Sequence, residues 1–473
     1  MRFTISDTLP GINSFGKWRY SYDNDFNEVK IDSKIILWSG YAIDQDLQAI
    51  VNDKSKLRSA NGKFCVIILT AQGMEVCLDY FAQTKVYYHT SDGFTLTNDL
   101  PALGLKSTDV NISTIDYFMK GLGEDVPMYS CKDPMNMRWI YEWNNFSHDN
   151  TIFKDLQSIP RDYWLVHHDG NTELKKVHDT HSDNFAAFGT RSKISDDALQ
   201  DRIHQCMEQH SEIIKKNYSD ICSSISEGID STLQDQYFDA DTRLMYHPQD
   251  SSTSEELPPK HDLIAQYQNR GKAIRFDTFD VGSIGEITID HVSDPMLSWV
   301  DTVPTIWQIN NLPAKPGVVL YGTYADEMFM HVPKFLFARV PPNHRHKYVE
   351  SYGGRKSPAR PFQDPYRSEH VRDWHSRFAE LALPSRYGRD VEIQTGVLTA
   401  SLYADRRIYN LIHSASVQQQ IDSMAHVGTQ RRILQDKFNF EFKTKYKDGA
   451  GYECRMVIKQ LLTKVKDKVL GDR

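Results

Sequence analysis

Apolar and polar positions follow two different periods along the chain, and the change falls near residue 190. Before it, short β-branched and aromatic runs recur at Lys34–Trp38, Phe64–Leu69, Met74–Leu78 and Lys85–His89. These predict strands, with turns at Ala60–Asn61–Gly62 and Ser91–Asp92–Gly93. Asp162–His168, followed by Asp169–Gly170, predicts a further hairpin arm. On such a strand His167 and His168 point to opposite faces, which argues against a metal shared between them. After residue 190 the period lengthens. Ser195–Asp196 supply N-cap chemistry, and Leu199, Ile203 and Met207 fall on one helix face. Short runs follow at Ile221–Ile225, Arg243–Tyr246, Ala273–Phe276 and Val318–Tyr321, with helical stretches such as His261–Arg270 between them. Strands alternating with helices predict a parallel sheet. From about residue 333 the chain reads as helical and loop-rich.

Composition bounds the class. A chain of 473 residues predicts two domains. Its apolar runs, such as Val66–Thr70, are far shorter than a membrane span. The opening MRFTISDTLPG has no apolar core, so no signal peptide is expected. Six cysteines without a CxxC pair argue against a zinc ribbon or a disulfide framework and fit a cytoplasmic setting. A net charge of −8 makes nucleic acid an unfavoured partner. One basic stretch, Arg339–Arg360, reads either as a docking surface or as a solvated loop.

The candidate chemistry sits in ISEGIDST, residues 225–232. A strand ending at Ile225 places this turn beyond a carboxyl end, where open α/β sheets bind ligands. Backbone N–H groups at the next helix start can receive phosphate oxygens. Gly228 permits close backbone approach, Ser226 and Ser231 can donate hydroxyl hydrogen bonds, and Asp230 can hold a magnesium ion. The alternative is a plain strand–turn–helix connection in which Asp230 or Ser231 is only an N-cap.

Ser226-Glu227-Gly228-Ile229-Asp230-Ser231 resembles the S-G-G-x-D-S PP-loop of the ATP pyrophosphatases. VVLYGTYADEMF (318–329) resembles the asparagine synthetase stretch V-V-L-S-G-E-G-A-D-E-L-F, and KTKYKDGAGY (443–452) resembles that family's K-x-x-x-x-D-G-x-G-Y. In the first third, NGKF (61–64), LDYFAQTKVYYH (78–89) and TIFKDLQSIPRDYWLVHHDG (151–170) resemble stretches of its glutaminase-like domain. The resemblance implies an Ntn-hydrolase-like β sandwich over residues 1–185. It implies a PP-loop parallel α/β sheet with a helical tail over 190–473.

The family's activity implies ATP and Mg2+. ATP activates a carboxylate as an acyl-adenylate, and an amine then attacks to give an amide and AMP. By the match, Ile225, Ser226, Gly228, Asp230, Ser231 and Gly322 lie at the nucleotide, and Asp230 and Asp326 hold magnesium. Lys443 places positive charge on the departing pyrophosphate, and Tyr324 sits in the catalytic turn. The implied partners are a small-molecule or peptide carboxylate, an amine donor, and a second copy of the chain in a homodimer; no membrane is implied.

Three departures from the family pattern matter. Arg2 follows Met1 where glutamine-hydrolysing members have their cysteine nucleophile, and WSGYAID (38–44) replaces N-G-E-I-Y-N. An inactive N-terminal domain is therefore expected, as in β-lactam and lasso-peptide macrolactam synthetases, with ammonia or a substrate amine supplying nitrogen. Thr323 replaces the family's glutamate and Tyr324 the next glycine. Glu227 puts an acid in the phosphate loop: two like charges at about 4 Å repel by about 4 kcal/mol at an effective ε of 20. Three readings stay open: an amide ligase, an intramolecular lactam synthetase, and a catalytically degenerate nucleotide-binding relative.

Overall fold

The computed structural model describes residues 2–23, 25–103, 155–159, 163–177, 194–226, 228–249, 261–280, 299–329, 386–416, 419, 423 and 428–441. Glu227, Lys443 with the stretch 443–452, and the basic stretch 339–360 lie outside the described residues, as does the side chain of Asp326.

The strands, in chain order, are β1 Phe3–Ser6, β2 Asn13–Phe15, β3 Trp18–Tyr22, β4 Asn27–Ile31, β5 Lys34–Ala42, β6 Gly62–Leu69, β7 Gly73–Leu78, β8 Tyr87–His89, β9 Thr95–Thr97, β10 Leu156–Ser158, β11 Tyr163–His168, β12 Asn171–Lys176, β13 Ile221–Ser224, β14 Thr242–Gln249, β15 Arg275–Asp280, β16 Val318–Leu320 and β17 Leu398–Ala400. The first twelve form two six-stranded antiparallel sheets, in the orders β10-β8-β9-β1-β3-β2 and β12-β11-β7-β6-β5-β4. The chain is thus a mixed α/β protein with both antiparallel and parallel sheets.

Alternation along β5 and β6 explains how the antiparallel sheets stack. Ile35, Leu37, Cys65, Ile67 and Leu69 face one apolar core, shared with Phe3, Ile5, Trp18 and Leu96 of the other sheet. Ile36, Trp38, Phe64, Val66 and Ile68 face a second core, closed by Leu47, Ile50 and Leu57 from two short helices. Trp18 and Phe94 both meet the ring of His167 across the sandwich. His167 is buried and its neighbour His168 is exposed, as alternation requires. Burial also pushes the thiols of Cys65 and Cys77 well up, so neither is a ready nucleophile.

The predicted helix runs Asp196–Asn217. Ser195 caps it by accepting from the Ala198 amide at 3.2 Å, and Leu199, Ile203, Met207 and Ile214 are buried along one face. Five parallel strands follow in the order β15-β14-β13-β16-β17. β13, β16 and β17 are almost wholly buried, as strands covered on both faces must be.

Two expectations need correction. The stretch beyond residue 333 is not only helix and loop, because it supplies the edge strand β17. Ala60–Asn61–Gly62 does not form a turn between strands: it follows the helix Lys54–Ser59, Asn61 is buried, and Gly62 already pairs with Ala42. Asn61 donates to Asp405 Oδ1 at 2.8 Å and accepts from the Arg406 amide at 3.1 Å.

Candidate functional site

In chain order the parallel sheet runs third, second, first, fourth, fifth. Connections from β13 lead to one side and those from β16 to the other, so the sheet reverses its direction of growth between these two strands. A crevice opens at such a point beyond the carboxyl ends. The register Ile221↔Val318, Cys222↔Val319, Ser223↔Leu320 brings the two strand ends level. The loop from Ile225 and the turn from Tyr321 therefore emerge side by side.

Gly322 makes the contact between them. A Cβ there would lie 2.5 Å from the Ser231 amide nitrogen and 2.9 Å from the Asp230 carbonyl carbon. Only a residue without a side chain lets the two backbones approach this closely. The structure thus brings Ser226, Gly228, Asp230, Ser231 and Gly322 together. Asp326 lies in the helical turn Ala325–Met328 that follows directly.

The eight-residue helix Ile229–Gln236 starts at this point, and its N-cap is Gly228 rather than Asp230 or Ser231. Gly228 has φ −68°, open to any residue, and a Cβ on it would meet only Ser226 Oγ at 3.0 Å. The hydroxyls tie the loop to itself. Ser231 Oγ accepts from the Ser226 amide at 2.9 Å, and Ser226 Oγ accepts from the Gly228 amide at 3.0 Å. Ile225 is buried and its amide donates to Leu244 O at 2.8 Å, so it contributes no N–H to the crevice.

Asp230 is held from two sides. Its backbone oxygen accepts from Tyr403 Oη at 2.7 Å, and its Oδ1 accepts from Gln430 Nε2 at 2.6 Å. Gln430 is fully buried, and its Oε1 has no hydrogen-bond partner among the described residues. The Asp230 carboxylate is half-buried, and a carboxylate oxygen is the kind of hard donor that magnesium takes.

Tyr324 lies on the other wall. Its φ of +72° is a left-handed conformation in a position where the resembled family carries glycine. It is buried, and with Tyr321, Thr323, Thr399, Ser401, Lys63 and Gln83 it lines a small, narrow cleft beyond β16 and β17. Ser401 Oγ donates to Thr323 O at 2.7 Å and fixes that turn. Lys63 reaches the cleft from β6 and forms a buried ion pair with Glu392. It also donates to Thr399 O at 2.9 Å and Thr399 Oγ1 at 3.0 Å, so its three N–H bonds are committed within the protein. Sequence reasoning missed Lys63, Glu392, Tyr403 and Gln430. No local pattern marks them, because each acts through a partner more than a hundred residues away.

No family model matches the chain, and no curated protein matches it. Among solved structures it is similar to the allosteric regulatory enzyme of purine biosynthesis, at 8% identity and TM-score 0.20, over 53% of this chain and 61% of that one. It thus spans about 61% of that protein's length. It is also similar to glutamine phosphoribosylpyrophosphate amidotransferase from B. subtilis complexed with ADP and GMP. There the identity is 9% and the TM-score 0.22, over 89% of this chain and 86% of that one. Overlays this loose carry no argument about fold or chemistry.

Proposed function

We propose that this chain is an ATP-dependent, AMP-forming amide synthetase of asparagine-synthetase type, working on a carboxylate with ammonia or an amine carried by the substrate. In this reading residues 1–185 are an Ntn-type domain without glutaminase activity, and 190–473 form the synthetase domain. The observation that carries it is the contact of Gly322 with the 230–231 peptide at the point where the parallel sheet reverses. Two segments that resemble nucleotide-handling motifs, far apart in sequence, there share one crevice. Ser226, Gly228 and Ser231 would receive the pyrophosphate, and Asp230 with Asp326 would hold magnesium, which neutralises phosphate charge when bound. The cleft beside Thr323 and Tyr324 would take the acyl group. Holding that group beside the amine supplies much of the rate enhancement.

One observation favours the second reading, a catalytically degenerate nucleotide binder. The Ser226 and Gly228 amides donate to the loop's own hydroxyls, where phosphate would otherwise be expected. Pyrophosphate release separates the two. The protein is mixed with ATP, magnesium and a panel of carboxylates, amino acids and short peptides among them. Release with at least one substrate is expected, and Asp326→Asn should abolish it while leaving the circular dichroism spectrum unchanged. ATP binding without release for any carboxylate would favour the degenerate reading, and unchanged release by Asp326→Asn would remove Asp326 from the site.

A further inference from the structure

One buried segment, Ser401–Tyr403, follows β17 directly and ties together the loops that leave β13 and β16. Ser401 Oγ donates to Thr323 O at 2.7 Å, on the turn from β16. The Leu402 amide donates to Gln234 Oε1 at 2.8 Å, and Tyr403 Oη donates to Asp230 O at 2.7 Å. Both acceptors stand on the helix Ile229–Gln236 that follows β13, one turn apart. The helix is therefore gripped at its start and again a turn later. Ser401 Oγ also accepts from the Tyr403 amide at 3.3 Å, which joins the two side-chain tethers to each other. Behind them, Leu402 O accepts from His210 Nδ1 at 3.3 Å and anchors the segment to the helix Asp196–Asn217.

Packing alone does not call for the Tyr403 hydroxyl. The ring meets Phe329 edge-on at 5.8 Å, and phenylalanine would fill the same space. A carbonyl in the first turn of a helix already receives the amide four residues on. What the hydroxyl adds is position. The contact of Gly322 with the 230–231 peptide sets how closely the turn and the helix start approach, but a single contact leaves a pivot. The tethers to Thr323 and Asp230 close a ring of three loops around that contact and remove the pivot.

We propose that Ser401 and Tyr403 are positioning residues that act as one clasp, fixing the angle between the turn after β16 and the helix after β13 at which the crevice meets a nucleoside triphosphate. The inference rests on the reading that this crevice takes ATP. A clasp holds only while both tethers hold, so breaking either releases the angle and breaking the second adds nothing, the non-additivity expected of side chains in one network.

Tyr403→Phe and Ser401→Ala each remove one hydroxyl, and a third variant combines them. Two quantities are measured on the full chain: the melting temperature without ligand, and the dissociation constant of ATP with Mg2+ by titration calorimetry well below that temperature. Each single variant should bind ATP about 3–10-fold more weakly, the worth of one net hydrogen bond. The double variant should bind no more weakly than the weaker single. Wild-type affinity in either single variant, whatever its melting temperature, would mean that its hydroxyl serves the fold alone. That result overturns the clasp and leaves the ATP site standing. Losses that multiply in the double variant would mean two independent contacts and overturn the clasp as well. No ATP binding by wild type overturns both the clasp and the reading on which it rests.

Discussion

His210 and Asp79 are buried ionisable residues whose contributions to stability change with pH in opposite directions. His210 Nδ1 faces Leu402 O at 3.3 Å, so it carries the hydrogen, and Nε2 accepts from Tyr41 Oη at 2.9 Å. The neutral ring is therefore satisfied, and burial pulls its pKa down to about 4. Its folded pKa lies below the unfolded 6.5, so its share of stability is whole above pH 6.5 and is lost as pH falls to 4. Asp79 is the reverse case. Burial lifts it to about 6, against the pull of the Phe81 amide and the Gln83 side chain. Its share is whole below the unfolded 3.8 and is lost as pH rises through 6. Each swing is about 3 kcal/mol at about 1.4 kcal/mol per pKa unit, so between pH 6.5 and 4 the two nearly cancel. Asp79→Asn removes one side of the balance. Its stability relative to wild type should fall by about 3 kcal/mol between pH 7 and pH 4. Denaturant midpoints at pH 7, 5.5 and 4 measure this, and a pH-independent difference would show that Asp79 keeps an ordinary carboxylate pKa.

Gly228 and Gly322 lie on the two segments that meet where the parallel sheet reverses, and only one of them is needed for the contact. An alanine at 322 places its methyl against backbone on the 230–231 peptide, which cannot rotate away. The loop from β13 and the turn from β16 would have to part. Gly322→Ala should cost about 1–3 kcal/mol, as overpacking does, and weaken ATP binding with it. An alanine at 228 meets a serine hydroxyl at 3.0 Å, and the backbone there already suits an L-residue. Gly228→Ala should stay within about 1 kcal/mol of wild-type stability, because the gain from a less flexible unfolded chain is offset by alanine's poorer N-cap. Its methyl group would nevertheless stand at the helix start, so ATP affinity should fall. Paired denaturation and nucleotide-titration curves test both. The same elements show what was legible beforehand. Ser195 with Leu199, Ile203 and Met207 announced a helix because cap and period are local signals. The runs at 221–225, 243–246 and 318–321 announced strands, and the strand–turn–helix connection at 225–232 was readable because its residues are contiguous. β17 has three residues, Leu398–Ala400, too few to show a period, and it forms because β16 is there to pair with. Gln430 and Lys63 were illegible for the same reason: only the folded chain supplies their partners.

At the scale of the whole molecule, one apolar cluster runs from Phe3 in the antiparallel sandwich to Phe440 beyond the last described helix. Beside it a polar seam joins the sandwich to the parallel sheet through Asn61 with Asp405, Tyr41 with His210, and Lys63 with Glu392. The last of these is a buried ion pair. Lys63 and Glu392 are both almost fully buried, and the carboxylate also accepts from the Thr399 amide at 2.9 Å and hydroxyl at 2.7 Å. Two charges out of water attract strongly only while both are present. Removing one strands the other, at a cost of about 3–5 kcal/mol, whereas replacing both with apolar groups is close to neutral. Lys63→Met and Glu392→Leu should each be destabilised by that amount, while the double variant should lose well under the sum of the two, keeping only the cost of the Thr399 groups that lose their partners. The coupling between the two sites would then be several kcal/mol, far beyond the near-additivity of distant substitutions. Because Lys63 lies in the sandwich and Glu392 beside the parallel sheet, the stranded charge weakens the seam more than either interior. Each single variant should therefore unfold in two calorimetric steps where wild type unfolds in one, and the double variant should recover the single step. Additive losses with an unsplit transition in every variant would mean that the pair only fills space, and that the apolar cluster alone holds the two parts together.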